Sequence, residues 1–139
     1  MIDHIFWCAR SGETEEFIEL VTADPLLISS LDENKNNLLH YISANGHLEI
    51  FKHIIEKYDI SKLVNSVNSS GNTPLHWAVL NQKFEMIKLL IQSGADIEYQ
   101  NSNGETPIDL LKYIENSQSL ISSMEQQGCT IENNKDFTN

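Results

Sequence analysis

Histidine and cysteine are the side chains of this 139-residue chain best suited to metal binding or to base and nucleophile chemistry. Two of the five histidines, His40 and His76, stand at equivalent places in two similar segments. If those segments form neighbouring helices, the two backbones lie roughly 8–10 Å apart. That distance is awkward for sharing a zinc ion, whose bonds are about 2 Å long. We therefore expect that the chain holds no metal site and no cofactor.

Motifs that place a catalytic group in a defined local structure are missing from the sequence. There is no nucleophile elbow, no Walker loop, no glycine-rich dinucleotide turn and no constellation of paired carboxylates. The sequence therefore predicts a protein without enzymatic activity and without catalytic residues.

An internal repeat organises most of the chain. Residues 68–78 align without gaps to residues 101–111, 33 positions later, and both copies contain a Gly followed shortly by Thr-Pro. A degenerate third copy covers 37–55, and a fourth, around 5–21, opens the chain without the Thr-Pro turn. A fixed period of this length is typical of solenoids built from stacked supersecondary units.

Each conserved feature of the copies has a physical role in a turn followed by two helices. Gly71 and Gly104 suit a turn that requires a positive φ. Thr73 can cap the inner helix, with Pro74 in its first turn, where a missing N–H costs nothing. Gly94 can end the second helix in a left-handed conformation. Because one such unit cannot bury both of its faces, it must stack on neighbours, and the end units must be modified as caps.

The pattern resembles the ankyrin repeat, with its Gly turn, T-P-L-H-x-A, a helix ending in L-L, and G-A-D. The resemblance implies an all-α solenoid of about four helix-turn-helix repeats with degenerate caps, at about 3–31, 32–67, 68–100 and 101–124. It also implies that His40 and His76 bond to the backbone of the adjoining turn. The stretch 57–67 is interpreted as a lengthened outer loop, 120–121 as the end of a last helix, and 125–139 as a polar, flexible tail.

The two cysteines fit this arrangement as separate thiols. Cys8 falls where Ala78 falls in its repeat, so we expect a small buried residue. Cys129 lies beyond the other end of the stack, and a disulfide requires Cα atoms within about 7 Å. Nothing near Cys129 in the sequence lowers the pKa of its thiol, and whether it is reactive stays open.

The charge of the chain restricts its partners. Its 20 acidic and 9 basic residues give a formal net charge of −11, which repels nucleic acid and anionic lipid and attracts a basic protein surface. No apolar run approaches the roughly 18 residues of a membrane span. With two cysteines and no signal peptide pattern, we expect a monomer in the cytoplasm, the nucleus or both.

In the ankyrin family, partners usually dock on the concave side, formed by the turn tips and the exposed edge of the inner helices. Leu80 and Tyr113 share one position in successive repeats, where a core role is hard to assign, so we expect an exposed apolar step. Trp77 and Tyr41 also share a position, and packing between repeats and partner binding are equally open for them. The predicted partner-binding residues are Arg10, Ser11, Glu33, Asn34, Asn36, Ala44, Asn45, Ser69, Ser70, Asn72, Trp77, Leu80, Asn81, Ser102, Asn103, Glu105 and Tyr113.

The third repeat carries a more specific likeness. Its run from Val67 to Asn81, with L-H-W-A at its centre, is similar to the corresponding stretch of the ankyrin-repeat chaperones that escort a basic protein of the small ribosomal subunit. The likeness implies a chaperone that shields a cationic ribosomal protein. The alternatives are a regulatory adaptor or inhibitor, resembling the ankyrin inhibitors of cyclin-dependent kinases or the adaptors of degradation complexes, and a pathogen effector.

Overall fold

The structure, a computed structural model, describes residues 2–114, 121–122 and 125–126. Within them the chain is helical, which agrees with the predicted all-α class. The elements are α1 (Ile2–Ser11), α2 (Thr14–Ala23), a first 3₁₀ helix (Pro25–Ser29), α3 (Leu38–Asn45), α4 (Leu48–Lys57), α5 (Ser61–Val64), α6 (Pro74–Leu80), α7 (Phe84–Gln92) and a second 3₁₀ helix (Ile108–Tyr113).

The helices form a stack of pairs. An inner row consists of α1, α3, α6 and the second 3₁₀ helix, each packed against the next. The outer helices α2, α4 and α7 pack against α1, α3 and α6 respectively, and α2 also contacts α4. None of the helices in the described ranges combines the length and the hydrophobicity needed to cross a lipid bilayer.

A continuous hydrophobic core lies between and within the pairs. On α4, Ile50, Phe51 and Ile54 are buried, because residues one turn apart share a face of the helix. Burying side chains of this size stabilises the fold by about 1.5–3 kcal/mol each. Cys8 and Ala78 are both fully buried, as predicted from their equivalent positions.

Two of the inner helices begin with the same reciprocal cap. Asn37 accepts a hydrogen bond from the His40 N–H, and the Asn37 N–H donates to His40 Nδ1 at 3.0 Å. In the next repeat Thr73 and His76 repeat the arrangement, and the Thr73 N–H donates to His76 Nδ1 at 3.1 Å. The predicted cap at Thr73, with Pro74 in the first turn, is confirmed.

The same histidines join each repeat to the next. His40 Nε2 lies 2.8 Å from the Asn72 carbonyl oxygen, and His76 Nε2 lies 2.9 Å from the Glu105 carbonyl oxygen. A carbonyl oxygen only accepts hydrogen bonds, so Nε2 carries the proton in both rings. Nδ1 accepts from the N–H of the residue that caps the helix, so it is unprotonated. Burial favours this neutral form, lowering the pKa of His40 to about 4 and also lowering the pKa of His76. Both imidazole rings therefore bond to the backbone of the adjoining turn, as the resemblance implied.

The fourth repeat departs from this pattern. Asp109 replaces the histidine, accepting from the Thr106 N–H at 2.9 Å while the Asp109 N–H donates to Thr106. Its inner element is the second 3₁₀ helix rather than an α-helix. The last predicted helix, around 120–121, falls mostly outside the described residues, although Ile121 is helical and buried. Of the predicted tail, 125–126 are helical, and the remainder, with Cys129, lies outside them.

The lengthened stretch after the second repeat is not a simple loop, which corrects the prediction. It contains the short helix α5, whose start is fixed by the Ser61 N–H donating to the Asp59 carboxylate at 3.0 Å. Ile60 and Val64 are buried in the core. The insertion is therefore anchored by apolar contacts at both ends of one helical turn.

Candidate partner-binding surface

An aromatic row runs across the inner helices. Phe6 on α1 meets Tyr41 on α3 edge to face at 5.6 Å, and Tyr41 meets Trp77 on α6 in the same way at 5.6 Å. Such edge-to-face pairs are favourable beyond the area that they bury. Tyr41 and Trp77 are nevertheless only half-buried, and both line hollows on the surface. Of the two interpretations left open for them, packing is therefore observed, and a role in binding is compatible with it.

The C-terminal hollow contains the predicted apolar step. Leu80 is 45% exposed and Tyr113 is 62% exposed, and both line a depression of about 290 Å³. Tyr113 donates a hydrogen bond to the Glu105 carboxylate at 2.7 Å, and Lys112 pairs with the same oxygen at 3.1 Å. These bonds, from Tyr113 first and then Lys112, hold the pKa of Glu105 below its usual value despite its burial. The remaining lining residues are Ser70, Asn72, Trp77, Asn101, Asn103 and Leu110.

The N-terminal hollow is larger and acidic, with a volume of about 400 Å³. Its charged residues are Asp3, Asp32 and Glu33 against Arg10, whose guanidinium lies 5.7 Å from the Tyr41 ring centre. Burial alone would raise the pKa of Asp32, but hydrogen bonds from Tyr41 and Asn36 outweigh it and keep the pKa below the usual value. A negative charge is thus fixed in the hollow, whose other lining residues are Ile2, Phe6, Leu31 and Asn34.

A middle hollow of about 280 Å³ connects the two, since it shares Asn34 and Tyr41 with the N-terminal hollow and Ser70 and Trp77 with the C-terminal one. The three hollows together are called the groove here. It is acidic at the N-terminal end, amide-rich in the middle and apolar at the C-terminal end.

The turn tips that border the groove are held by a ladder of amides. Asp32, Asn68 and Asn101 each accept backbone N–H groups two and four residues later. Successive turns are then joined side chain to side chain, because Asn68 donates to Asn36 at 2.8 Å and Asn101 donates to Asn72 at 2.9 Å. The rim of the groove is therefore preorganised.

The predicted binding residues divide by their exposure. Exposed are Arg10, Ser11, Glu33, Asn34, Asn45, Ser69, Ser70, Leu80, Asn81, Ser102, Asn103 and Tyr113, and half-buried are Ala44, Asn72 and Trp77. Ser11, Ala44, Asn45, Asn81 and Ser102 do not line the three hollows.

The amides of Asn45 and Asn81 have a local role instead. Their side chains donate to the carbonyls of Tyr41 and Trp77, each at 2.8 Å, and so satisfy the ends of the inner helices.

Asn36 and Glu105 line the middle and the C-terminal hollow respectively, but they contribute little exposed surface to the groove. Asn36 is only 4% exposed and Glu105 only 8%. Asn36 is used by the amide ladder, and Glu105 is bonded to Tyr113 and Lys112. Both positions follow the turn tip, where the chain bends inward to begin the next helix, so little of either side chain is exposed in the groove.

The residues that line the groove but are missing from the predicted binding set are Ile2, Asp3, Phe6, Leu31, Asp32, Tyr41, Asn68, Asn101 and Leu110. A signal for Asp32 was available, since Asp32, Asn68 and Asn101 recur at the repeat period. Phe6 stands one repeat before Tyr41, but the first repeat lacks the Thr-Pro turn that would have fixed its alignment.

Residues 5–110 match a family model described as ankyrin repeats in three copies. The match covers well over half of the chain, so this protein belongs to the ankyrin-repeat family, whose repeats are protein-interaction modules.

Individual proteins show the same relationship. An ankyrin repeat protein of Rickettsia bellii is 38% identical over 78 residues, which are 54% of this chain but only 11% of that protein. An ankyrin repeat-containing protein of Schizosaccharomyces pombe is 37% identical over 107 residues, 77% of this chain and 73% of the relative. A chain in the crystal structure of the yeast ribosomal protein Rps3 in complex with its chaperone Yar1 is similar with a TM-score of 0.81 and 29% identity, covering 94% of this chain and 95% of that chain. The predicted resemblance to an ankyrin chaperone of a ribosomal protein is thereby confirmed.

Proposed function

We propose that this protein is a non-enzymatic chaperone or escort that holds a basic protein segment, such as part of a ribosomal protein, along the groove. The observation that carries the proposal is the gradient of the groove from a fixed negative charge at Asp32 to an exposed apolar step at Leu80 and Tyr113. The similarity to the yeast chaperone structure supports the class of partner.

The acidic end supplies attraction and orientation. Residues 1–33 carry eight acidic side chains against Arg10 alone. Such a field speeds the encounter with a cationic segment and repels nucleic acid, which would otherwise compete for the same cations. Exposed charges act through water, so this contribution falls as salt screens it over distances of about 8–10 Å.

The apolar end supplies lasting affinity. Leu80, Trp77 and Tyr113 converge on one hollow, and large side chains in such a depression are typical anchors of protein interfaces. We infer that the partner segment lies with its basic residues over the first two repeats and one or two hydrophobic side chains over the last two.

The carboxylates nearest the hollows support a binding role rather than a catalytic one. Asp32 is occupied by the turn of the second repeat, and Glu105 is occupied by Tyr113 and Lys112.

We further propose that the protein acts as a monomer in the cytoplasm, the nucleus or both. Size-exclusion chromatography and imaging of a tagged full chain test these two statements.

The test is calorimetric titration of the full chain with a basic small-subunit ribosomal protein at about 50 mM and about 500 mM salt. Leu80→Ala should weaken binding about tenfold at both salt concentrations, because the lost contact is apolar. Asp3→Asn with Glu33→Gln should weaken binding several-fold at low salt only.

Matched controls lie away from the groove. Leu26→Ala removes a leucine that is 83% exposed on the first 3₁₀ helix, and Glu56→Gln with Glu98→Gln removes the same charge as the groove pair. If the controls weaken binding as much as the groove variants, or if the ribosomal protein does not bind, the chaperone proposal fails. Binding of other, non-basic proteins that depends on Leu80 but not on salt would instead indicate an adaptor or inhibitor.

A further inference from the structure

Three side chains of different chemistry meet between the first two helices, on a part of the molecule that the groove does not use. His4 and Cys8 lie on α1, and Glu16 lies on α2. His4 Nε2 is 3.1 Å from Glu16 Oε1, and Cys8 Sγ is 3.7 Å from Glu16 Oε2. One ligand atom from each residue lies within 4.8 Å of the others.

The backbone brings them together for simple reasons. His4 and Cys8 are four residues apart, so they share one face of α1, and the tight turn at Gly12 returns α2 along that face. The His4 ring also stacks on Trp7, with ring centres 5.6 Å apart and planes 14° apart. The imidazole is thus directed towards Glu16 by its neighbour.

The two contacts with Glu16, which end on different oxygens of its carboxylate, are close to the ligand spacing around a tetrahedral ion, and the ligand atoms of all three residues lie within 4.8 Å of one another. Bonds of about 2.0–2.3 Å to nitrogen, oxygen and sulfur place neighbouring ligand atoms of a zinc site about 3.3–3.7 Å apart. Small rotations of two exposed side chains, His4 and Glu16, would open the direct contact between them enough to admit the ion. Thiolate, imidazole and carboxylate are all ligands that Zn²⁺ accepts.

We propose that His4, Cys8 and Glu16 bind Zn²⁺, with water or a partner group as the fourth ligand, and that the ion clips α1 to α2. On binding, the Cys8 S–H bond breaks, sulfur bonds to the metal and one proton leaves to solvent. The thiolate and the carboxylate then balance the two charges of the ion.

The surroundings of Cys8 explain why the metal-free thiol stays protonated. Burial first, and then the charge and hydrogen bond of Glu16 and the charge of Glu13, raise the pKa of Cys8 to about 11. On α3, which also packs against α1, the titratable residues are bonded elsewhere: His40 to the next turn and Tyr41 to Asp32.

The experiment is titration of the full chain, carrying Cys129→Ser so that Cys8 is its one thiol, with Co²⁺ and Zn²⁺ alone. We expect one ion per chain and a thiolate-to-Co²⁺ charge-transfer band that Zn²⁺ abolishes. Saturating Zn²⁺ should also raise Tm by on the order of 5 °C.

Surface variants keep the test independent of core packing. His4→Ala and Glu16→Gln should each weaken Zn²⁺ binding by at least about 100-fold, whereas the neighbouring Glu15→Gln and His53→Ala should leave it unchanged. If the charge-transfer band is absent, or if the control variants weaken binding as much as the ligand variants, the site does not exist. Loss of partner binding in the groove would not bear on this outcome.

Discussion

The second and third repeats build nearly the same structure from different residues. The inner helix is capped by Asn37 in one and by Thr73 in the other, and both caps pair with a histidine three residues later. The turn contains Lys35 at φ 63° in the second repeat, where the third has Gly71 at φ 74°. The backbone shape and the buried histidine are thus retained, while the capping and turn residues are exchanged, so the former should matter most to stability.

The largest effect should come from the histidines. His40→Ala should destabilise the protein by about 4 kcal/mol, since it opens a cavity, leaves the Asn37 N–H without its partner and removes one of the two hydrogen bonds that the Asn72 carbonyl accepts. His76→Ala should cost about 3 kcal/mol, because His76 joins the third repeat to the turn of a fourth repeat whose inner element is only a short 3₁₀ helix. Urea unfolding measures both. The half-buried His53 on α4 is the control, and an equal loss for His53→Ala would contradict a special role of the turn histidines.

In the unmodified protein, acidification should lower stability through the same two histidines, His40 and His76. The folded state keeps His40 neutral down to a pKa of about 4, whereas the unfolded chain takes up the proton near its ordinary value of 6.5. Stability is therefore complete above about pH 6.5 and falls as the pH drops towards 4, by about 3 kcal/mol for His40. His76, whose pKa burial also lowers, adds a loss in the same direction.

Urea unfolding of wild type and His40→Gln between pH 7.5 and pH 4 tests the assignment, because the variant cannot titrate at this position. The variant should show a clearly smaller slope between pH 6.5 and pH 4. A flat wild-type profile down to pH 5 would contradict the neutral-histidine account.

The repeat period was sufficient to predict the fold, because each unit carries a local signal: a turn glycine, a cap and an apolar helix face. Features that depend on tertiary packing were harder to predict from the sequence. The low exposure of Asn36 and Glu105 depends on where the chain bends after each tip, and the helix at 61–64 depends on the buried contacts of Ile60 and Val64. The acidic hollow was missed in part because Asp32 and Phe6 come from different repeats, and only packing brings them together.

Alanine substitutions at two turn glycines distinguish the cost of a positive φ from the cost of a steric contact. Gly71→Ala should cost about 3 kcal/mol, because a Cβ would lie 2.7 Å from the Ser102 backbone nitrogen in addition to the cost of the positive φ. Gly104→Ala is a matched control, with φ 75° and nothing within 4 Å of its added Cβ, and should cost about 1 kcal/mol. Equal values from urea unfolding would show that the contact with the next turn carries no weight.

The smallest expected change in stability comes from giving the turn of the second repeat the glycine that the third repeat has at the same position. Lys35→Gly should stabilise the protein by about 0.5–1 kcal/mol, because glycine adopts the left-handed φ of 63° without the penalty that a Cβ brings, although part of the gain is offset by its freedom in the unfolded chain. Lys35→Ala removes the same positive charge but keeps the Cβ, so it should give no comparable gain. If both variants shift the urea midpoint equally, charge rather than backbone conformation determines the effect, and the turn of the second repeat is not strained. If only the glycine variant gains, the second repeat tolerates a strained turn because its histidine and cap hold the backbone in place.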